Sequence, residues 1–181
     1  DARKESVRYT ADLTNILSAY AFKQDGRFIY LSSEAVYGRS YSSDIHETEP
    51  ASAKSFQAMA LLQGENICRS YRDTRGMDTR ILRFDHMYGI PRKGKTDRNP
   101  CFWMTLEMLK TNQIAANSRT AFSMIYQDDA VAFAYRAMME ESPKYPLYHI
   151  TSGEAITQMD LAELIRQNAD GVEIRTIQSV K

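Results

Sequence analysis

The stretch GRFIYLSSEAVYG, Gly26–Gly38, decides how the rest of the chain is read. Phe28, Ile29, Tyr30 and Leu31 form a short continuous apolar run, the pattern of a buried strand. The run stops on two hydroxyl side chains, Ser32 and Ser33, and a turn follows before Val36-Tyr37-Gly38. Hydroxyls at the end of a buried strand stand where α/β proteins bind their ligands, so the segment marks a candidate active site.

On the N-terminal side, Leu13, Ile16, Leu17, Tyr20 and Ala21 recur at helical spacing. They predict one core-facing side of a helix from about Thr10 to Phe22. There is no initiator methionine, and a chain that opens almost directly on such a helix is expected to be a piece of something longer. On the C-terminal side, residues 39–53 read as a polar loop with Pro50 near its end. A long helix is expected over about 54–72, stopped near Gly76, then a strand over Thr79–Phe84. GIPRKGKTDRNP, residues 89–100, reads as a second polar loop. A short helix from Phe102 to Thr111, a possible strand at SMIYQ and a helix from Asp129 to Glu140 follow. PLYHIT is a strand. TQMD, Thr157 to Asp160, is a capping-box pattern that starts a helix carrying Leu161, Leu164 and Ile165. VEIRTI reads as a possible last strand. Strands alternating with helices predict an α/β fold with a mostly parallel sheet.

The helix over 54–72 is apolar on more than one side. Phe56, Met59 and Ala60 lie on one face, and Leu61, Leu62 and Cys68 on others. One face suits the sheet. Another calls for complete burial or for a second cover, such as a further domain or a partner subunit.

Composition narrows the class. The 181 residues suffice for one domain with a real core. Lys+Arg and Asp+Glu both number 23, so no charge excess asks for nucleic acid or a membrane surface. No apolar run is long enough to span a bilayer, and the start shows no signal-peptide pattern. Cys68 and Cys101 fit no metal-ligand spacing and read as small hydrophobes in a reducing compartment. A cytoplasmic protein is expected.

Taken in order, several motifs resemble the extended short-chain dehydrogenase/reductase family, the NAD-dependent nucleotide-sugar epimerases and dehydratases. FIYLSSEAVYG resembles that family's strand ending in Ser-Ser-x-x-Val-Tyr-Gly. GENICRSYRDTRGMDTRILRFDHMYGIP resembles Gly-Glu on the active-site helix followed by a strand ending in Arg-x-x-Asn-x-Tyr-Gly-Pro. FSMIYQDDAVAFAYRAM is similar to Asp-Phe-Ile-x-Val-Asp-Asp-Val-Ala. YTADLTNILSAY and YHITSGEAITQMDLAELI resemble an earlier helix and a later strand and helix. The resemblance implies the second half of a Rossmann-like parallel sheet flanked by helices, plus part of a small C-terminal substrate region. Residues 1–90 would be the C-terminal half of the Rossmann-like domain. Residues 91–181 would mix substrate-region segments with the last Rossmann elements. The family's Gly-rich phosphate turn, Gly-x-x-Gly-x-x-Gly, does not occur in this sequence.

The resemblance also implies a site. The family's tyrosine, in Tyr-x-x-x-Lys, exchanges a proton with the sugar hydroxyl. The lysine lowers the tyrosine pKa and grips the nicotinamide ribose, and a serine at the preceding strand end bonds the same substrate oxygen. Ser33 matches that serine. Anchoring on Gly64-Glu65 puts Gln57 at the tyrosine position and Leu61 at the lysine position. A glutamine amide does not cycle a proton near neutral pH, and leucine has neither charge nor donor. Leu31, Ser32 and Phe84 match cofactor-lining positions, for NAD or NADP in the full-length protein; binding by this chain itself, or none, are both open on the resemblance. Tyr37, His86 and Arg119 match substrate positions for a nucleotide sugar. His86 stands where the family has asparagine, and Phe122 where it has an arginine, Arg119 being the nearest substitute.

Each residue also has a plainer reading. Ser32 and Ser33 are either catalytic remnants or hydroxyls capping the next turn. Tyr37 either lines the site or holds the turn. His86 is a structural histidine or, with Tyr37, a candidate displaced acid/base group. Asp129 is expected to cap the following helix and Asp128 to be solvated or bonded to the backbone. No metal site is expected. Arg92, Lys93, Lys95 and Arg98 either meet phosphate or are simply solvated. Glu65 reads as structural. Two functions remain open: an epimerase/dehydratase-like protein with a replaced dyad, or a non-catalytic pseudoenzyme that senses a ligand or binds a partner. A homodimer through the helix over 54–72 is expected in either case.

Overall fold

The computed structural model describes residues 2–21, 26–38, 45–90 and 99–178. The basic run Arg92, Lys93, Lys95 and Arg98 lies outside them. The elements in chain order are α1 (Ala2–Tyr20), β1 (Arg27–Ser33), a 3₁₀ turn (Glu34–Tyr37), α2 (Phe56–Arg75), β2 (Asp78–Phe84) and β3 (His86–Tyr88). Then come α3 (Pro100–Thr111), β4 (Gln113–Ala116), β5 (Ala121–Tyr126), α4 (Gln127–Met139), β6 (Leu147–Ile150), β7 (Ala155–Thr157), α5 (Gln158–Gln167) and β8 (Glu173–Thr176). They form two compact units that interleave along the sequence. The first takes the described residues up to Asp85 together with Asp129–Ile150. The second takes His86–Asp128 and the chain from Thr151 on.

The first unit is built on a parallel three-stranded sheet of order β1-β2-β6. The central strand, β2, is buried along nearly its whole length. Alternation sends Thr79, Ile81 and Arg83 to one face and Arg80, Leu82 and Phe84 to the other. Ile81 joins Leu13 and Leu17 of α1, Tyr30 of β1 and Cys68 of α2 in one apolar cluster. Each arginine of β2 sits among apolar neighbours and needs a carboxylate. Arg80 finds Asp78, with Nη2 2.8 Å from Oδ2, and also donates to the carbonyl of Ala137 in α4. Burial works against the Asp78 carboxylate, but hydrogen bonds from Arg80 and Arg27 outweigh it and hold the group below the ordinary aspartate range.

Local chemistry sets the helix ends. Ser55 caps α2 by accepting from the Ala58 N–H at 3.1 Å, and Gly76 ends it in the left-handed conformation at φ 66°. The apolar faces of α1 and α2 divide between core and surface. Ile16 is 54% exposed on α1, while Leu13, Leu17 and the partly buried Tyr20 and Ala21 face the core. Phe56 and Met59 are 54% and 44% exposed on α2, whereas Ala60, Cys68 and the half-buried Leu61 face inward.

In the second unit, β5 pairs parallel with β3 and antiparallel with β7, and β4 pairs parallel with β8. Met104, Ile114, Phe122 and Leu161 anchor its core. The expected capping box opens α5: Thr157 Oγ1 accepts from the Asp160 N–H, and Asp160 accepts from the Thr157 N–H. Strands β3, β4 and β7 are too short to show a period in sequence. Helix α4 starts at Gln127, so Asp128 and Asp129 belong to its first turn and Asp129 is not its cap. Carboxylates there favour the helix dipole. Both cysteines are free thiols.

Candidate functional site

The end of β1 is organised by its two serines in different ways. Ser33 caps the 3₁₀ turn, its Oγ accepting from the Ala35 N–H at 3.2 Å and donating to the Glu34 carboxylate. Gly38 closes the turn at φ 66°. Ser32 points into the protein and donates to Glu65 Oε1 at 2.7 Å.

Glu65, fully buried on α2, is the hub of this region. Arg83 of β2 grips it with two charge-assisted bonds, Nε to Oε1 at 2.8 Å and Nη2 to Oε2 at 2.6 Å. Arg69 adds a third cationic contact at 3.1 Å. Burial alone would weaken the Arg83 cation, but the Glu65 carboxylate raises its pKa above the ordinary arginine value. The Arg83 guanidinium also lies 4.6 Å above the centre of the Tyr37 ring, a cation–π contact. Tyr37 is 3% exposed; burial pushes its phenol up, partly offset by Arg83. Its hydroxyl donates to the carbonyl of His46 at 3.4 Å.

Beside this network stands a second buried pair. His149 Nε2, in β6, lies 2.7 Å from Asp85 Oδ1, just after β2. The imidazole is 5.7 Å from the Tyr37 ring, centre to centre. The sequence reading missed this pair because the partners are 64 residues apart and meet only through the β2–β6 pairing. A histidine amid the apolar residues of PLYHIT was the available signal.

The two α2 positions stand apart from this network. Gln57 is exposed in the first turn of α2. Leu61, one turn on, is half-buried against the apolar cluster of Leu13, Leu17 and Tyr30. Of the other residues of this unit, Leu31 is 57% exposed and Phe84 is buried. In the second unit, His86 is exposed on β3 with its ring edge-on to Phe122 at 6.0 Å. Arg119 is exposed in the turn that follows β4, where its N–H donates to Asn117 Oδ1.

These side chains do not suit the grip on a nicotinamide ribose that the resemblance implies. The Ser32 hydroxyl is given to Glu65, Gln57 is a neutral amide and Leu61 packs against the apolar cluster. No cation or phenol stands at either α2 position. No group of three or more His, Cys, Asp or Glu side chains among the described residues could hold a metal ion. No described helix is long and apolar enough to cross a membrane.

Residues 2–151 match the model of the NAD dependent epimerase/dehydratase family. The low-salt glycan biosynthesis protein Agl12 of Haloferax volcanii is 24% identical over 147 residues, 81% of this chain and 47% of that protein. Among solved structures, the NAD-dependent NDP-hexosamine 5,6-dehydratase TunA superimposes with a TM-score of 0.80 at 16% identity, covering 97% of this chain and 58% of the other. The UDP-glucuronic acid 4-epimerase of Bacillus cereus, in complex with UDP-glucuronic acid and NAD, does so with a TM-score of 0.80 at 19% identity, covering 95% and 55%. The chain thus spans about half the length of the proteins it matches.

Proposed function

Since this chain belongs to the NAD dependent epimerase/dehydratase family, we propose that the whole protein is a nucleotide-sugar epimerase/dehydratase relative whose proton-transfer dyad is replaced. In this reading the whole protein binds NAD or NADP and a nucleotide sugar, and the family's chemistry is hydride transfer at a sugar carbon. Ser33 keeps the strand-end hydroxyl. Gln57 and Leu61 occupy the positions of the proton-exchanging tyrosine and its lysine. One observation supports the reading: Leu61 packs, half-buried, against the apolar cluster of α1 and α2 and offers no charge. Of the displaced acid/base candidates, Tyr37 is buried beneath Arg83 and His86 is exposed.

A positioned general acid/base contributes roughly 10²–10⁴-fold to rate. Epimerisation of UDP-glucuronic acid by the whole protein, followed by NMR, should therefore be absent or slower by about that factor than in a relative with the intact dyad. Ordinary turnover would contradict the reading. Loss of that turnover in His86→Asn would then identify His86 as the displaced group.

A second reading is supported by the surface of α1 and α2. Val7, Phe56 and Met59 are exposed apolar side chains around a groove of about 450 Å³ between the two helices. A non-catalytic partner-binding or ligand-sensing role, or a homodimer through α2, would cover them.

A further inference from the structure

Helix α5 and strand β8 are joined by a turn that reads Asn168-Ala169-Asp170-Gly171. In an Asn or Asp, Cγ is joined to the backbone nitrogen of the next residue through Cβ, Cα and the carbonyl carbon alone. A bond between the two closes a succinimide ring and needs no distant partner. What decides the reaction is how tightly the turn is held and how crowded that nitrogen is.

Asn168 is held at each point. Its Nδ2 donates to the carbonyl of Leu164 at 2.8 Å, and the Ala169 N–H donates to the carbonyl of Arg166 at 3.2 Å. The Ala169 methyl group stands beside the nitrogen that would have to attack. Asn117, also followed by a small residue, is locked by bonds to Gln158, Arg119 and Thr120. Asp170 differs in every respect. It is exposed, as is Gly171, and among the described residues neither its carboxylate nor the Gly171 N–H has a hydrogen-bond partner. Gly171 sits at φ 71°, and a Cβ placed on it would meet nothing within 4 Å. The backbone can rotate into the attacking geometry without displacing a neighbour.

We propose that Asp170-Gly171 is a covalent modification site, at which aspartate isomerises to isoaspartate through a succinimide. The Gly171 nitrogen bonds to Cγ of the protonated Asp170 carboxyl, and the amide proton and the carboxyl hydroxyl leave as water. Water then adds to the ring. Opening at the side-chain carbonyl restores aspartate; opening at the main-chain carbonyl leaves the backbone running through Cβ. The sum is an isomerisation, with no oxidant, reductant or cofactor. The inference is independent of cofactor binding and of sugar turnover.

The added backbone carbon falls just before Val172 and Ile174, which pack on the core of the second unit, and before Glu173, whose N–H donates to the carbonyl of Asn112 at 3.0 Å. Isomerisation should therefore loosen the pairing of β8 with β4.

The test is ageing of the 181-residue chain at neutral pH, folded and in guanidinium chloride, followed by tryptic digestion. Isoaspartate is read in the separated peptides by methyl transfer from S-adenosylmethionine with a protein-isoaspartate methyltransferase. Peptide 167–175 carries Asp170, and peptide 24–27 carries the sequence's other Asp-Gly pair, of which Asp25 lies outside the described residues. In the folded chain, isoaspartate in 167–175 should form within about tenfold of the unfolded rate, because an exposed turn opens at little cost. D170E should abolish it there, and D170N should reach the same product by expelling ammonia. A folded-state rate below that window, isoaspartate persisting in 167–175 of D170E, or a D170N chain that stays intact would each overturn the proposal.

Discussion

Glu65 is the residue on which the first unit depends most. It is fully buried, and Arg83, Arg69 and Ser32 all direct donors at it. Removing one partner of a buried pair leaves the other charge without compensation, at a cost of about 3–5 kcal/mol. Glu65→Ala should therefore lose about that much in urea unfolding. The double substitution E65L/R83M should lose far less than the two single changes summed, because no fully buried charge is left without its partner and the partly exposed Arg69 can turn to water. Additive losses would show that the two side chains are not coupled. The glutamate was legible in the sequence as a structural residue, since it follows a helix glycine. Its partners were not, because Arg83 lies in another element and pairs through the face it presents in β2. The Asp85–His149 pair was invisible for the same reason.

At the scale of elements, α2 carries two opposed demands. Its inner face approaches β1 so closely that a Cβ at Gly64 would lie 2.0 Å from the Tyr30 hydroxyl oxygen and 2.5 Å from its ring carbon. Tyr30 is held there by its bond to the carbonyl of Leu61 at 3.1 Å. Alanine favours a helix over glycine by about 1 kcal/mol, but overpacking costs about 1–3 kcal/mol. The clash with a pinned aromatic puts Gly64→Ala at the upper end, so thermal unfolding should show net destabilisation by about 1–2 kcal/mol. A gain in Tm would mean that the strand yields easily. The outer face carries the exposed Phe56 and Met59. If these side chains form a contact between copies, light scattering should find a dimer at micromolar concentration and Met59→Glu should make it a monomer. A monomeric parent chain would remove that reading. Elements of seven or more residues were legible from periodicity and capping: β1, α2, β2, α3, α4 and α5 occur close to where the pattern places them, and α1 ends there but opens at Ala2, well before the expected Thr10. The three-residue strands β3 and β7 were not, because so few positions cannot display an alternation.

For the whole molecule, the sequence motifs in order were enough for the family, and the alternation of elements was enough for an α/β fold with parallel pairing. The interleaving of the two units was not legible, because Asp129–Ile150 joins the first unit through the pairing of β6 with β2, a contact that leaves no local mark. On the function proposed above, the proton-transfer positions of this chain's α2 are replaced. Its α2 presents an amide and a core leucine where the family resemblance implies a phenol and a cation, and its sequence has no Gly-rich phosphate turn. The most direct measurement is calorimetric titration of NADH into the chain, with the whole protein titrated in parallel. The chain should give no heat beyond dilution at millimolar NADH, while the whole protein binds. Saturable binding of NADH to this chain in the micromolar range would contradict that claim.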